Sequence, residues 1–228
     1  MFSILKGPPA RFPIVGIFAQ AIELGIVPSL ARPGGNITGV SVDVGWDQWA
    51  KRIQLLKEVL PQISRLGLLN TRDVREQFLA NFREDALRNS VSIVGPPLER
   101  PTDEREYHRV FAALAQDGAE GLVVWDQPEN VTYRRLIIEL TEKGRLPTIY
   151  HYRQFVDAGG LMSYGIDVAD VGHRAADLID QILKGAKPGE IPIFQPTKFD
   201  LSINLKTAKA LGIELPPLLV ARADNVIE

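Results

Sequence analysis

Gly121-Leu122-Val123-Val124-Trp125-Asp126 leads into a helical stretch over 129–143, a stop at Gly144, and then Pro147-Thr148-Ile149-Tyr150. A continuous apolar run, an amphipathic helix and a second apolar run form the pattern of a parallel βαβ unit, whose strands are covered on both faces. The alternation continues outward in both directions. Upstream, Leu66-Gly67-Leu68-Leu69 ends at Asn70-Thr71, and Val91-Ser92-Ile93-Val94 is closed by Gly95-Pro96-Pro97. Between and around these runs, Trp46, Trp49, Ile53, Leu56 and Leu60 make one helical stripe that Pro61 stops. Val74, Phe78, Phe82, Ala86 and Leu87 form the inward face of a second helix. Thr102 opens a capping box ahead of a third, with Tyr107, Val110, Phe111 and Leu114 inward and Gly118 at its end. Downstream come a short helix over 152–157, a strand Gly160-Leu161-Met162-Ser163-Tyr164, and a long helix from Val168 to Lys184 with Val171, Ala175, Leu178, Ile179 and Ile182 inward. Phe199-Asp200-Leu201-Ser202-Ile203 alternates as a half-exposed edge strand does.

The 228 residues fit one large domain or two small ones, at 45% hydrophobic and 24% charged, with 26 Lys plus Arg against 28 Asp plus Glu. A formal net charge of −2 brings no basic surplus for nucleic acid or anionic lipid. No apolar stretch is long enough to cross a membrane as a helix. The absence of cysteine excludes disulfides, thiolate zinc sites, iron–sulfur clusters and thiol catalysis. Phe12 to Phe18, preceded by Lys6 and Arg11 and followed by Ala19-Gln20-Ala21, has the outline of a signal peptide. The run is short and carries Pro13, so it reads instead as a buried strand opening on its proline, after a loop or ragged start over 1–10.

Right-handed βαβ units bind ligands in the crevice at the C-terminal ends of their strands. The residues standing there are Gln20, Asn70, Thr71, Asp126, Tyr150, His151, Ser163, Tyr164 and Asp167. None of this chemistry is catalytic. There is no Gly-x-Gly-x-x-Gly or P-loop, and Gly34-Gly35-Asn36 after Pro33 reads as a tight turn with positive φ. His108, His151 and His173 lack metal-ligand spacing; the first and last read as surface residues, and His151 as a polar loop residue near enough to the hinge to be a weak candidate contact. No serine has a base beside it. No cofactor, metal or catalytic residue is expected.

Several separated blocks, in order, resemble the ABC-transporter substrate-binding proteins of the family that includes aromatic-amino-acid binders. They are Ser29-Leu30-Ala31-Arg32-Pro33-Gly34-Gly35-Asn36-Ile37-Thr38-Gly39-Val40-Ser41, Lys51 to Glu58, Arg145 to Tyr150, Phe155 to Gly165, Ile182 to Pro188, and Asn204 to Gly212. The resemblance implies an α/β fold of the type I periplasmic binding protein class, two Rossmann-like lobes with parallel sheets and a ligand cleft between them. It maps residues 1–42 and 167–194 to a partial first lobe, and 43–166 with 195–228 to a second. The first crossing would run through Ser41-Val42-Asp43-Val44. Met1 falls near the family's fourth strand, so the first lobe is expected to be incomplete. The family's acidic-Pro pair after that strand is Gln20-Ala21 here.

The resemblance further implies ligand contacts from Asn70, Thr71, Asp126, Tyr150, Ser163, Tyr164 and Asp167. A carboxylate suits a helix N-terminus with a Thr or Ser hydroxyl, an ammonium suits Asp126 or Asp167, and the two tyrosines suit an apolar or aromatic body. Capping is an equally ordinary role for Asn70, Thr71, Asp126 and Asp167. The implied function is capture of a small molecule, an amino acid or aromatic acid, for an ABC importer, without catalysis and in the periplasm. Its partners are that ligand and a membrane permease, with no nucleic acid and with self-association through the incomplete sheet. A cytoplasmic ligand-sensing domain and a nonfunctional truncated remnant are the alternatives.

Overall fold

The computed structural model describes residues 12–19, 21–22, 24–42 and 46–228. The readings made for 1–10, for Gln20 and for the crossing at Asp43 and Val44 lie outside the described residues. The elements in order are β1 (Ile14–Phe18), β2 (Ile37–Ser41), α1 (Asp47–Val59), β3 (Arg65–Leu69), α2 (Arg72–Gln77), α3 (Leu79–Arg88), β4 (Ser92–Val94), α4 (Glu104–Gln116) and β5 (Gly121–Val124). There follow α5 (Pro128–Thr132), α6 (Arg134–Lys143), β6 (Thr148–Tyr150), α7 (Arg153–Asp157), β7 (Met162–Gly165) and α8 (Val168–Leu183). The chain ends with β8 (Asp200–Asn204), α9 (Leu205–Leu211), α10 (Pro217–Ala221) and β9 (Asn225–Ile227).

Two compact units form. One holds residues 1–46 and 166–199, the other 47–165 and 200–228. In the first, β1 and β2 pair in parallel, and Phe18, Ala21, Val27, Ile37 and Ile193 make a small core. The Gly34-Gly35 turn has φ of +68° and +63°, values that glycine adopts without a Cβ clash. Helix α8 is capped by Asp167, whose Oδ1 accepts from Ala169 N at 2.8 Å. Val171 and Leu178 are its buried residues, whereas Ile179, expected inward, is half exposed.

The second unit is a seven-stranded sheet in the order β4-β3-β5-β6-β7-β8-β9, parallel throughout except for the β7–β8 pair. Strand β8 is therefore not an edge strand, because three C-terminal residues pair outside it. Tyr107, Val110, Phe111 and Leu114 recur at helical spacing along α4 and are buried with Leu122, Ile137, Tyr150 and Phe155 in one core. Its N-cap is Asp103 rather than Thr102, accepting from Glu106 N at 3.0 Å, with Glu104 and Glu106 favourably placed against the helix dipole. At the other end Gly118, at φ +66°, closes a Schellman turn: Ala119 N donates to Leu114 O and Gly118 N to Ala115 O.

Two helices read as continuous are broken. Phe78 separates α2 from α3, and Tyr133 separates α5 from α6. On α3 Phe82 and Ala86 are buried, whereas Leu87, about 100° round the same helix from Ala86, is 81% exposed.

Candidate functional site

The C-terminal ends of β3, β5, β6 and β7 bring Asn70, Thr71, Asp126, His151, Ser163 and Tyr164 into one region of the second unit. Asn70 is fully buried; its Oδ1 accepts from Arg75 Nε at 3.0 Å, and its Nδ2 has no protein acceptor. Arg75 also donates to the carbonyls of Gly95 and Leu68, and burial pulls its pKa down to about 10. Thr71 N donates to Gln127 Oε1 at 2.9 Å while Gln127 Nε2 donates to Thr71 Oγ1 at 2.6 Å. That reciprocal pair fastens the end of β3 to the end of β5. Asn130 strengthens the same seam, its Nδ2 donating to Trp125 O at 2.8 Å and its Oδ1 accepting from the Tyr107 hydroxyl.

Asp126 follows directly. Its side chain is 27% exposed, and Oδ2 lies 3.5 Å from His151 Nε2. His151 lies in the loop after β6, as expected from sequence, but it is buried, with Nδ1 2.5 Å from Arg52 Nη2. Arg52 is itself fully buried on α1: Nε donates to Tyr164 O at 2.7 Å, and its guanidinium lies over the Trp49 ring at 4.6 Å. Desolvation lowers the Arg52 pKa to about 10 against the opposing pull of Asp126, which leaves the guanidinium charged at neutral pH. Burial, and then Arg52, pushes His151 well below its ordinary value. Beside this group Trp49 and Trp125 stack at 3.6 Å, flanked by Phe78 and Phe82.

The remaining expected residues are placed differently. Tyr150 is turned into the core, stacked on Phe155 at 4.8 Å with its hydroxyl 3.1 Å from Thr141 Oγ1, so it presents no atom at the strand-end crevice. The period-2 alternation of a strand sends it to the face under α6 and α7. Ser163 is buried in β7. Tyr164 is half-buried, and burial raises its pKa. Asp167 belongs to the first unit, where it caps α8. A cavity of about 520 Å³ does open in the second unit, lined by Arg145, Leu161, Lys206 and Thr207 among others. It gathers residues that precede β6 and β7, the end of the sheet opposite the crevice.

Sequence reading missed Arg52, Gln127 and Asn130. Arg52 carried a usable signal: it lies three residues after Trp49 and four before Leu56, a charged residue on an apolar stripe. No group of three or more His, Cys, Asp or Glu side chains able to hold a metal ion occurs among the described residues.

The His151 environment fixes a pH response. Unfolded His151 takes a proton near pH 6.5 and the native, buried ring does not, so below that value the unfolded chain binds more protons and stability falls. The slope is at most about 1.4 kcal/mol per pH unit. Glu99, Glu106 and Glu120 are held below their ordinary carboxylate value of 4.5, so their contribution is lost only at lower pH. Between pH 7 and 5 the urea midpoint should therefore drop in the wild type and stay nearly level in His151→Asn. A level wild-type curve would mean that native His151 accepts the proton.

The family model for ABC transporter substrate binding proteins matches residues 4–227. A curated tyrosine-binding protein of Clostridioides difficile strain R20291 is 25% identical over 205 residues, 88% of this chain. The chain spans 57% of that relative's length. Among solved structures, an ABC domain from Streptococcus pneumoniae in complex with L-Trp superposes with a TM-score of 0.82 at 23% identity, covering 99% of this chain and 75% of that one. A conserved domain protein from Vibrio cholerae gives 0.83 at 21% identity, covering 99% and 74%. These likenesses bear out the fold, that of the type I periplasmic binding proteins. With a family match running almost from end to end, over a parallel sheet whose strand ends carry polar side chains, the chain belongs to the ABC transporter substrate-binding proteins.

Proposed function

We propose that this chain captures an amino acid for an ABC importer, binding without chemistry and delivering its ligand to a membrane permease from the periplasmic side. The observation that carries the reading is Asp126, a partly exposed carboxylate at the C-terminal end of a central parallel strand, where α/β proteins hold their ligands. An ammonium group is its natural partner. Tyr164, half-buried on β7, supplies a surface for an aromatic side chain, and the region of Asn70, Thr71 and Ser163 supplies polar groups for the carboxylate end. The tyrosine-binding relative and the L-Trp-bound neighbour favour an aromatic amino acid. No helix among the described residues is long and apolar enough to cross a membrane.

A thermal melt tests the reading. A ligand at 100 times its Kd adds about 2.7 kcal/mol, a rise of roughly 5–11 °C for a chain of this size. L-tyrosine or L-tryptophan should produce that rise, and Asp126→Asn should weaken binding about tenfold or more by removing the charge partner. Absence of a shift with every amino acid would defeat the proposal.

Self-association is part of the same reading. Strand β1 has one strand partner among the described residues, and Ile17 on it is 59% exposed, features that favour pairing with a second chain. Sedimentation velocity should show a concentration-dependent dimer that Ile17→Lys dissociates.

A further inference from the structure

The cavity at the end of the sheet away from the crevice holds about 520 Å³, a volume ordinary for a small-molecule site. Buried Leu146 and Leu161 and part-buried Leu211 give it apolar walls. Its floor is polar, where the buried Tyr150 hydroxyl and Thr141 Oγ1 pair at 3.1 Å. Three charged side chains on the lining, Arg145, Lys206 and Glu142, are exposed and so stand at the mouth. No ion pair joins any of them to another among the described residues. Two cations against one acid leave the lining with a net positive charge.

Both cations sit where local backbone physics argues against them. Arg145 has φ +46° and is one of two non-glycine residues at positive φ among the described residues. It fills the left-handed position of the turn that ends α6, where Leu146 N donates to Thr141 O at 2.9 Å and Arg145 N to Glu142 O at 3.0 Å. Glycine is the ordinary residue there. The glycine of this turn, Gly144, stands one place earlier at φ −75°, a value that any residue adopts. Arg145 Nη2 donates to Leu211 O at 3.2 Å, which occupies one of five N–H donors. Lys206 is the second residue of α9, in the first turn, where the helix dipole disfavours a cation. It makes no hydrogen bond or ion pair among the described residues. Local rules are broken chiefly at functional or strained sites, and here two breaks bring positive charge to one cavity.

We propose that this cavity is a second binding site, for a small organic carboxylate with an apolar body. Arg145 and Lys206 hold the carboxylate at the mouth, and the leucine walls take the body. Glu142 keeps the net charge low, so one carboxylate matches the lining and a cationic group does not. The site does not depend on what the strand-end crevice binds.

Gly159 and Gly160 line the cavity, and their amides in ¹H–¹⁵N correlation spectra of the 228-residue chain report its occupation. Phenylbutyrate should shift both saturably. Phenylbutanol and phenylbutylamine, of the same shape without the carboxylate, should bind at least about tenfold more weakly. Arg145→Gly and Lys206→Glu should each weaken phenylbutyrate by about tenfold or more. Neither should unfold earlier than the wild type in urea, because the first relieves a positive φ and the second places an acid in a first turn. An Arg145→Gly chain that unfolds early yet binds as the wild type does makes the arginine a helix cap and overturns the site. Equal affinity for the three probes, unchanged affinity in either variant, no saturable shift, or shifts confined to the ends of β3 and β5 overturn it as well.

Discussion

Trp125→Ala is expected to lower the stability of the second unit by about 3–5 kcal/mol, the range for truncating a large buried aromatic side chain. Trp125 is nearly buried at the end of β5, its ring stacked on Trp49 with an interplanar angle of 16°. Phe82 meets it edge-on at 5.2 Å and Phe78 lies tilted at 5.7 Å. The Ala variant opens a cavity bordered by α1 and α3, and two of its walls are rigid rings that cannot collapse to fill it. For a protein of this size each kcal/mol moves Tm by about 2–4 °C, so a fall of roughly 10 °C is expected by circular dichroism. Leu87→Ala is the control, because that side chain is solvated and its loss should leave the midpoint unchanged. Equal midpoints for Trp125→Ala and wild type would show that the aromatic cluster adds nothing to the unit. The main-chain bonds of Trp125, from N to Leu69 O and from Asn130 Nδ2 to its carbonyl, survive the substitution, so Asp126 should keep its place.

The parallel sheet was legible because its central strands are buried on both faces and so appear as unbroken apolar runs, as in Leu66 to Leu69 and Gly121 to Val124. The helices were legible where one face does all the burying, as along α4. Phase was lost where a helix breaks without proline or glycine. Phe78 and Tyr133 are ordinary helix residues, and only the local backbone, ψ near 18° at both, ends one segment and starts the next. Strand β9 escaped notice because three residues give no periodicity to measure. At the site, chain position located Asp126, since the crevice rule needs only a strand end. It could not separate Tyr150 from His151. Neighbours in sequence, they point to opposite faces, one into the core and the other toward Arg52 and Asp126. A partner on a different helix, which Arg52 is to His151, leaves no mark in local pattern.

Arg52→Ala should produce an effect as large as the tryptophan truncation, about 3–5 kcal/mol, by breaking a buried charged group away from its partners. Two effects compete. Burial of the guanidinium is unfavourable, as its pKa near 10 records, and removing it returns that energy. Against this, the buried His151 Nδ1 and the part-buried Tyr164 carbonyl lose their donor, at about 1–3 kcal/mol each, and Trp49 loses the stem and cation packed on its face. The second set is larger, because two acceptors are stranded for one cation removed. Arg52→Met divides the account: the flexible apolar stem remains on Trp49, so the loss should shrink to about half that of Ala, and what persists is the share of the two stranded acceptors. Urea unfolding of the three proteins measures both steps. If Arg52→Met is as stable as the wild type, desolvation has cancelled the hydrogen bonds, and the buried guanidinium adds nothing net to the fold.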